Sequence, residues 1–200
     1  MKEIVSGIWS WAWYSEPHGY DFNGHLLLDA GGNICIDPVE ASADDLAAIK
    51  RLGIARILIT NRNHSRASKR FREETGAPVA IHPADAAHAK SQGAVIDAEL
   101  AVGEKIGPLT VVAAKGKSPG EIALHWPARR ILVVGDAFVG NPPGKCALLR
   151  EQVMDEPATL RRSVAKLLDL DFDTILVGDG VSILADAKTP LKELVASFPA

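Results

Sequence analysis

Two features are scarce in this 200-residue sequence: cysteine, and long stretches of apolar residues. Cys35 and Cys146 are the only cysteines, and their separation fits neither a metal site nor a disulfide framework. We interpret them as buried thiols in a reducing compartment. No segment approaches the roughly 20 apolar residues that a membrane span needs, and the amino-terminal residues lack the apolar core of a signal peptide. We therefore expect a cytoplasmic protein with no membrane partner.

An excess of positive charge is also missing. Lysine and arginine number 22 against 25 acidic residues, which gives a formal net charge of −3, and the basic residues are dispersed along the chain. There is thus no electrostatic basis for binding nucleic acid or an anionic membrane. Hydrophobic residues make up 47% of the sequence, enough for one core, and we expect a single domain over residues 1–200.

Three of the four tryptophans, Trp9, Trp11 and Trp13, alternate within a predicted strand at residues 4–13. Alternate residues of a strand point to the same face of its sheet. That face either covers the core, contacts a second copy of the chain in a homodimer, or forms one wall of a ligand pocket. A polar loop is predicted at residues 14–23, and His18 at its middle is a candidate to lie over such a pocket.

The rest of the sequence alternates between apolar, strand-like runs and segments with helical spacing. Turns containing glycine or proline join pairs of strands in both halves, which predicts antiparallel hairpins. We therefore predict an α/β (α+β) fold, a four-layer αββα sandwich in which helices cover each sheet. The predicted strands are residues 25–28, 33–36, 57–60, 79–82, 104–106, 109–113, 121–125, 131–134 and 174–177, and the predicted helices are residues 43–52, 65–75, 83–91, 156–168 and 190–198.

The apolar strand at residues 57–60 ends abruptly in a polar turn. In open α/β architectures, ligands bind beyond the carboxyl ends of the strands, so this turn is the first candidate site. Its six residues are Asn61, Arg62, Asn63, His64, Ser65 and Arg66.

The turn resembles the Thr-His-x-His-x-Asp-His motif of the metallo-β-lactamase superfamily. When Thr60 is aligned with the first residue of that motif, its four ligand positions are occupied by Asn61, Asn63, Ser65 and Arg66. None of these residues is one of the family's ligands. The resemblance therefore implies the fold of that superfamily together with an altered metal site.

Four further short motifs resemble landmarks of the same superfamily. A Gly-Lys-Ser-Pro-Gly turn is similar to the family's Gly-His-Thr-Pro-Gly turn, with Lys117 at a histidine ligand position. A Val-Gly-Asp segment keeps the aspartate that bridges two metals, here Asp136, and a Gly-Asp-Gly turn has Asp179 in place of the last histidine. Asp37 matches a structural aspartate. Five motifs in order extend the resemblance over nearly the whole chain.

The resemblance implies hydrolase ancestry and chemistry at one or two metal ions, typically zinc. Here Lys117 and Arg66 would place cations where a metal cation should bind. We therefore expect no cofactor, loss of zinc-dependent activity, and a buried ion pair in which Lys117 replaces the metal's charge beside Asp136. The alternative is a divalent metal ion held by oxygen ligands from Asn61, Asn63, Asp136 and Asp179.

The expected function is that of a pseudoenzyme on a hydrolase fold, which acts as a scaffold or binds a small anionic molecule. Two enzymatic alternatives are a hydrolase that uses the oxygen-held metal and a metal-free acid/base hydrolase that uses Asp136, Asp179 or His64. His64 occupies a variable position between the ligands and is expected to point away from them. The predicted ligand-binding residues are Asn61, Arg62, Asn63, Arg66, Lys117, Asp136 and Asp179.

Overall fold

The computed structural model describes residues 1–199, which form two β-sheets packed face to face. Ala200, the last residue of the expected domain, lies outside the described residues. The first sheet has the strand order β1 (Lys2–Val5), β2 (Ile8–Ser15), β3 (Tyr20–Leu27), β4 (Ile34–Ile36), β5 (Arg56–Ile59), β6 (Val79–Ile81) and β7 (Ala98–Glu99). The second has β12 (Thr174–Val177), β11 (Ile131–Val134), β10 (Ile122–Trp126), β9 (Leu109–Ala113) and β8 (Lys105–Ile106).

Helices cover the outer face of each sheet, which confirms the four-layer αββα sandwich. On the first sheet, a hydrophobic cluster joins β5 to the helices that precede and follow it, and a second cluster joins the other sheet to the last two helices. The helices are α1 (Ala43–Leu52), α2 (Ser68–Thr75) and α3 (Pro83–Ser91) on the first sheet, and α4 (Pro157–Leu167) and α5 (Lys188–Ala196) on the second.

The apolar run in β5 shows why the sequence folds into layers. Ile57 and Ile59 pack against Ile49 of α1 and Phe71 of α2, whereas Leu58 points into the cluster between the two sheets. Successive residues of a strand face opposite sides, so a strand buried on both sides must be apolar at every position. None of the helices in residues 1–199 has the length and apolar content of a membrane span.

The parallel strands bring the polar turns together. β4, β5, β6 and β7 pair in parallel in the first sheet, and β11 pairs in parallel with β12 in the second. Parallel neighbours end at the same edge of a sheet. The loops after β5, β11 and β12 therefore meet at one edge of the sandwich, next to the loop between β9 and β10.

The amino-terminal prediction was partly wrong. A turn at Gly7, with φ of 72°, divides the predicted strand at residues 4–13 into β1 and β2. The predicted loop at residues 14–23 is largely strand, because β2 continues to Ser15 and β3 begins at Tyr20. Trp13 and Phe22 lie opposite each other in these strands, with ring centroids 5.9 Å apart. Such cross-strand aromatic pairs favour an extended hairpin over a loop.

Helix α2 begins later than the predicted start at residues 65–66. Its first residue is Ser68, because the preceding residues form turns in which His64 N–H donates to the Asn61 carbonyl. Arg66 has φ of 22°, outside the helical region. The last helix also differs slightly from the prediction, since it begins at Lys188 and ends at Ala196.

Candidate functional site

His64 lies at the centre of a buried network of charged side chains, which we call the charge network. Its Nδ1 is 2.8 Å from Asp37 Oδ2, and its Nε2 is 3.1 Å from Asp136 Oδ1. The side chain is completely buried. The expectation that His64 points away from the ligand positions was therefore wrong.

Two neighbouring features turn His64 inward. Asp37 accepts hydrogen bonds from the backbone N–H of Thr60, at 2.8 Å, and from its hydroxyl, at 2.5 Å, so it holds the start of the turn close to β4. Gly178 leaves room for the imidazole, because a Cβ there would lie 2.5 Å from His64 Cε1. Both partners come from other segments of the chain, and the turn sequence alone does not reveal them.

Lys117 and Asp136 form the ion pair that the sequence predicted. Lys117 Nζ is 2.9 Å from Asp136 Oδ2, and both side chains are buried. The other oxygen of Asp136 faces His64. Burial alone would raise the pKa of Asp136, but the charges of His64 and Lys117 hold that pKa well below its usual range. Asp136 is therefore an ionised carboxylate between two cations.

Arg66 makes the corresponding contact to the other aspartate. Its Nη2 donates to Asp179 Oδ1 at 2.5 Å, and its guanidinium lies over the Phe22 ring, 4.1 Å from the centroid. The positive φ of Arg66 is unfavourable for a residue with a side chain. The Asp179 and Phe22 contacts offset that strain and fix the guanidinium between the two sheets.

The ionisation of His64 depends on opposing effects. Burial and the Arg66 guanidinium, whose Nη2 lies 2.9 Å from Nε2, both favour a neutral imidazole. The carboxylates of Asp136 and Asp37 outweigh them and raise the pKa of His64 to about 10. His64 is thus an imidazolium at neutral pH.

We expect ¹⁵N NMR of histidine-labelled protein to show both His64 ring nitrogens protonated at pH 8, since the pKa is raised far above that of a free histidine. His82 is an internal reference, because burial lowers its pKa and it should lose its proton at lower pH. A neutral-tautomer pattern for His64 at pH 7 would contradict the assignment.

Glu121 and Asn61 lie beneath the network and were not predicted to contact each other. Glu121 is completely buried, and its Oε1 accepts a hydrogen bond from Asn61 Nδ2 at 3.3 Å. Burial, followed by the charge of Asp136, raises the pKa of Glu121 well above its usual range. Gly135 leaves room for this pair of side chains, because a Cβ there would lie 2.8 Å from the Asn61 amide nitrogen.

The ion pairs of the network contain equal numbers of acidic and basic side chains. Three carboxylates, those of Asp37, Asp136 and Asp179, lie against three cations. Buried charges are tolerated only when they are paired and hydrogen-bonded, and each of these has at least one oppositely charged partner. The cations of the balanced set are His64, Arg66 and Lys117.

Two predicted ligand-binding residues do not line the cleft described below. The Asn61 amide faces Glu121, and Arg62 pairs with Asp155 at 2.6 Å, so neither is available to a ligand there. Asp85 also organises this region, since it accepts hydrogen bonds from the Arg62 backbone N–H, at 2.8 Å, and the Ser118 hydroxyl, at 2.5 Å. Ser118 is completely buried and has a structural role.

A cleft of about 810 Å³ opens above the charge network. The remaining five predicted ligand-binding residues, Asn63, Arg66, Lys117, Asp136 and Asp179, all line it. Residues of the β2–β3 hairpin and of the segment 147–153 line it. This volume is typical of pockets for small organic ligands.

The donor atoms at the floor of the cleft do not fit a divalent metal ion. His64, Asp136 and Asp179 each offer one atom within 4.8 Å of the others. However, the Lys117 ammonium and the Arg66 guanidinium already pair with the two aspartates and would lie beside a metal cation. The alternative set of oxygen ligands is also incomplete, because Asn61 faces Glu121. We therefore derive no chemistry through a metal at this site.

Trp13 lines the cleft, whereas Trp11 packs on Phe71 in the core, with ring centroids 5.4 Å apart, and is buried. Trp9 packs against the same cluster as Trp11. The tryptophan face thus serves both of the intramolecular roles considered from the sequence, core packing for Trp9 and Trp11 and pocket wall for Trp13.

Comparison with known proteins identifies relatives of the whole chain. A family model described as the metallo-beta-lactamase superfamily matches residues 1–198. No curated protein matches. Among solved structures, a metallo-beta-lactamase from Pontibacter korlensis is 16% identical, with a TM-score of 0.79 and coverage of 98% of each chain.

Two further solved structures are similar. The metallo-beta-lactamase family protein TTHA1429 from Thermus thermophilus is 19% identical, with a TM-score of 0.73, covering 97% of this chain and 80% of that one. The protein TTHA1623, solved in a di-iron-bound form, is 23% identical, with a TM-score of 0.67, covering 87% of this chain and 94% of that one. At these identities the similarity establishes the fold.

Proposed function

We propose that this chain, which belongs to the metallo-beta-lactamase superfamily, binds a small anionic molecule without hydrolysing it. Cationic side chains neutralise the aspartates at the floor of its cleft. The observation that carries the proposal is the combination of a balanced charge network with an open cleft of about 810 Å³ above it. A site filled by its own side chains would leave only a scaffold, and this cleft is not filled.

The state of the candidate catalytic groups supports the proposed lack of hydrolysis. His64 is a completely buried imidazolium whose nitrogens face carboxylates, so it can neither contact a substrate nor accept a proton. Asp136 is a weak base, because the charges of His64 and Lys117 outweigh burial and hold its pKa well below the usual range. Burial raises the pKa of Asp179, but Arg66 donates to its Oδ1. The family's hydrolysis needs hydroxide made at a metal, and the donor set does not fit that metal.

Anion binding uses donors that the ion pairs leave available. Arg62, Arg66 and Lys117 each have a carboxylate partner, so none of these three cations is wholly free for a ligand. An ammonium nevertheless has three N–H donors and a guanidinium has five. Arg66 Nη1 makes only a long, 3.4 Å hydrogen bond to the Gly178 carbonyl, and Asn63 is exposed at the cleft. These donors suit a carboxylate or phosphate oxygen.

The first test separates binding from catalysis. We expect protein purified without chelator, and protein incubated with zinc, to contain less than stoichiometric zinc by mass spectrometry, and neither to hydrolyse ester, lactone or lactam substrates. Zinc-dependent turnover would contradict the proposal, and turnover that persists after chelator treatment would favour the metal-free acid/base hydrolase.

The second test measures binding. In calorimetric titrations with acetate, benzoate and inorganic phosphate, we expect at least one anion to bind saturably, with affinity at least about tenfold lower in Arg66→Gln because a charge-assisted hydrogen bond is lost. Arg72→Gln is the matched control, because Arg72 also pairs with a carboxylate, that of Asp97, away from the cleft. No saturable binding of any anion, or binding unchanged in Arg66→Gln, would rule out this site.

A further inference from the structure

One wall of the cleft is a continuous aromatic surface. Trp13, His18, Tyr20 and Phe22 all line the cleft. Neighbouring rings in this set are close: the centroids of His18 and Phe22 are 5.1 Å apart, and those of His18 and Tyr20 are 5.8 Å apart. Trp13 is 48% exposed although it is a large apolar residue. Such an exposed aromatic surface in a concave site suits a flat apolar ligand.

The hairpin that carries this wall is fixed at its base. The backbone N–H of Asn23 donates to the Gly178 carbonyl at 2.7 Å, and the Asn23 side chain donates to the Val177 and Gly180 carbonyls at 3.1 and 2.8 Å. The hairpin is thereby joined to the loop that carries Asp179. A preformed wall loses less conformational entropy when a ligand binds than a mobile one does.

A second wall of the cleft is aliphatic and also anchored. Leu148, Leu149 and Val153 face the cleft, and their segment is held by two backbone hydrogen bonds between Val139 and Ala147, at 2.8 and 3.0 Å. A planar ring between an aromatic and an aliphatic wall would remove apolar surface on both of its faces from water. A small inorganic anion at the floor would leave both walls exposed to water.

Arg150 is the distinctive charge at the mouth of the cleft. It lines the cleft, is exposed, and takes part in no ion pair between described residues, unlike Arg62, Arg66 and Lys117. Its positive charge acts on the Tyr20 hydroxyl, because it opposes the rise in the pKa of Tyr20 that burial and Asp179 cause. Arg150 and the aromatic wall therefore flank the same opening.

We propose that the occupant of the cleft is a flat, largely apolar organic anion, an aromatic carboxylate in chemical class. Its ring contacts the aromatic hairpin and the aliphatic wall, and its carboxylate, which the proposed function places at Arg66 and Asn63, also pairs with Arg150. The inference rests on the proposed function and names the ligand class and a binding residue for it. A guanidinium that is already free of carboxylates gives up no internal pair when it binds this group.

The first experiment compares four probes on the full chain by calorimetry. 2-Naphthoate has both features of the proposed ligand, 2-naphthamide has its shape without the charge, and acetate and inorganic phosphate have charge without the ring. We expect 2-naphthoate to bind at least about tenfold more tightly than each of the others, since it alone adds a charge-assisted hydrogen bond to apolar burial.

Two matched pairs of variants locate the binding. Arg150→Gln should weaken 2-naphthoate at least about tenfold, whereas Arg162→Gln, which alters another exposed arginine outside the cleft, should not. Trp13→Ala should weaken it severalfold, whereas Tyr14→Ala should not, because Tyr14 is its neighbour in β2 on the opposite face. All four residues are exposed, and thermal unfolding of each variant verifies that it is folded.

The outcomes distinguish this inference from the proposed function. If acetate or phosphate binds as tightly as 2-naphthoate, the aromatic ligand class is wrong, and if binding is unaffected by Arg150→Gln, the role of Arg150 is wrong. In either case the protein is still an anion binder. If 2-naphthamide binds as tightly as 2-naphthoate, the cleft does not select an anion and both proposals fail. Failure of all four probes to bind at millimolar concentration also overturns both.

Discussion

Replacing His64 with glutamine is expected to lower the free energy of unfolding by about 3–5 kcal/mol at pH 7, the range for removing one partner from a buried ion pair. Glutamine is neutral and leaves Asp37 and Asp136 facing each other across the vacated site without the cation that now separates them. Urea denaturation followed by circular dichroism measures the loss. His88→Gln is the control, because His88 is an exposed helical residue.

The loss of stability in the same variant should depend on pH. The pKa of His64 is about 10 in the folded protein and about 6.5 in an unfolded chain. A raised folded pKa gives stability that is fully present below pH 6.5 and is lost as the pH rises toward 10. The difference in stability between wild type and His64→Gln should therefore shrink over that interval. A loss below about 1 kcal/mol at pH 7, or a difference that grows with pH, would show that His64 is not a buried cation.

The second large effect concerns Lys117 and Asp136. Lys117→Met and Asp136→Asn should each cost about 3–5 kcal/mol, because each leaves a buried charge without its partner. The double variant should cost less than the sum by about 1–3 kcal/mol, since neither charge then remains. A double-mutant cycle of unfolding free energies gives this coupling directly.

The exposed pair of Lys145 and Glu193 is the matched control for that cycle. Its Nζ to Oε2 distance, 2.6 Å, is as short as that of the buried pair, but both side chains are more than half exposed. Its coupling should be below about 1 kcal/mol because water screens exposed charges. Additive losses at Lys117 and Asp136 would mean that their contact contributes nothing beyond two separate substitutions.

Much of the fold could be predicted because the layers are encoded locally. The uninterrupted apolar run of β5 requires burial on both sides, and the structure places Leu58 between the sheets and Ile57 under the helices. The ion pair of Lys117 and Asp136 could also be predicted, since the two residues occupy neighbouring ligand positions and have opposite charges. Both inferences depend on the type of residue and its position in a regular element.

The centre of the site could not be predicted in the same way. The inward direction of His64 depends on the positive φ of Arg66 and on space beside Gly178, which lies far away in the sequence. The buried acid Glu121 depends on Asn61 and on the missing side chain of Gly135. These are non-local packing effects, and a pattern of residue types in one segment carries little information about them.

The balance of charges beneath the cleft also restricts how this protein can evolve. A return to metal binding would need histidine at Lys117 and at Arg66, but either substitution alone takes a cation from a buried aspartate before any metal can replace it. Each single step would therefore lower stability, and only a combination of steps could recover it. If the site is metal-free, as we propose, this mutual dependence opposes the recovery of a metal site by single substitutions.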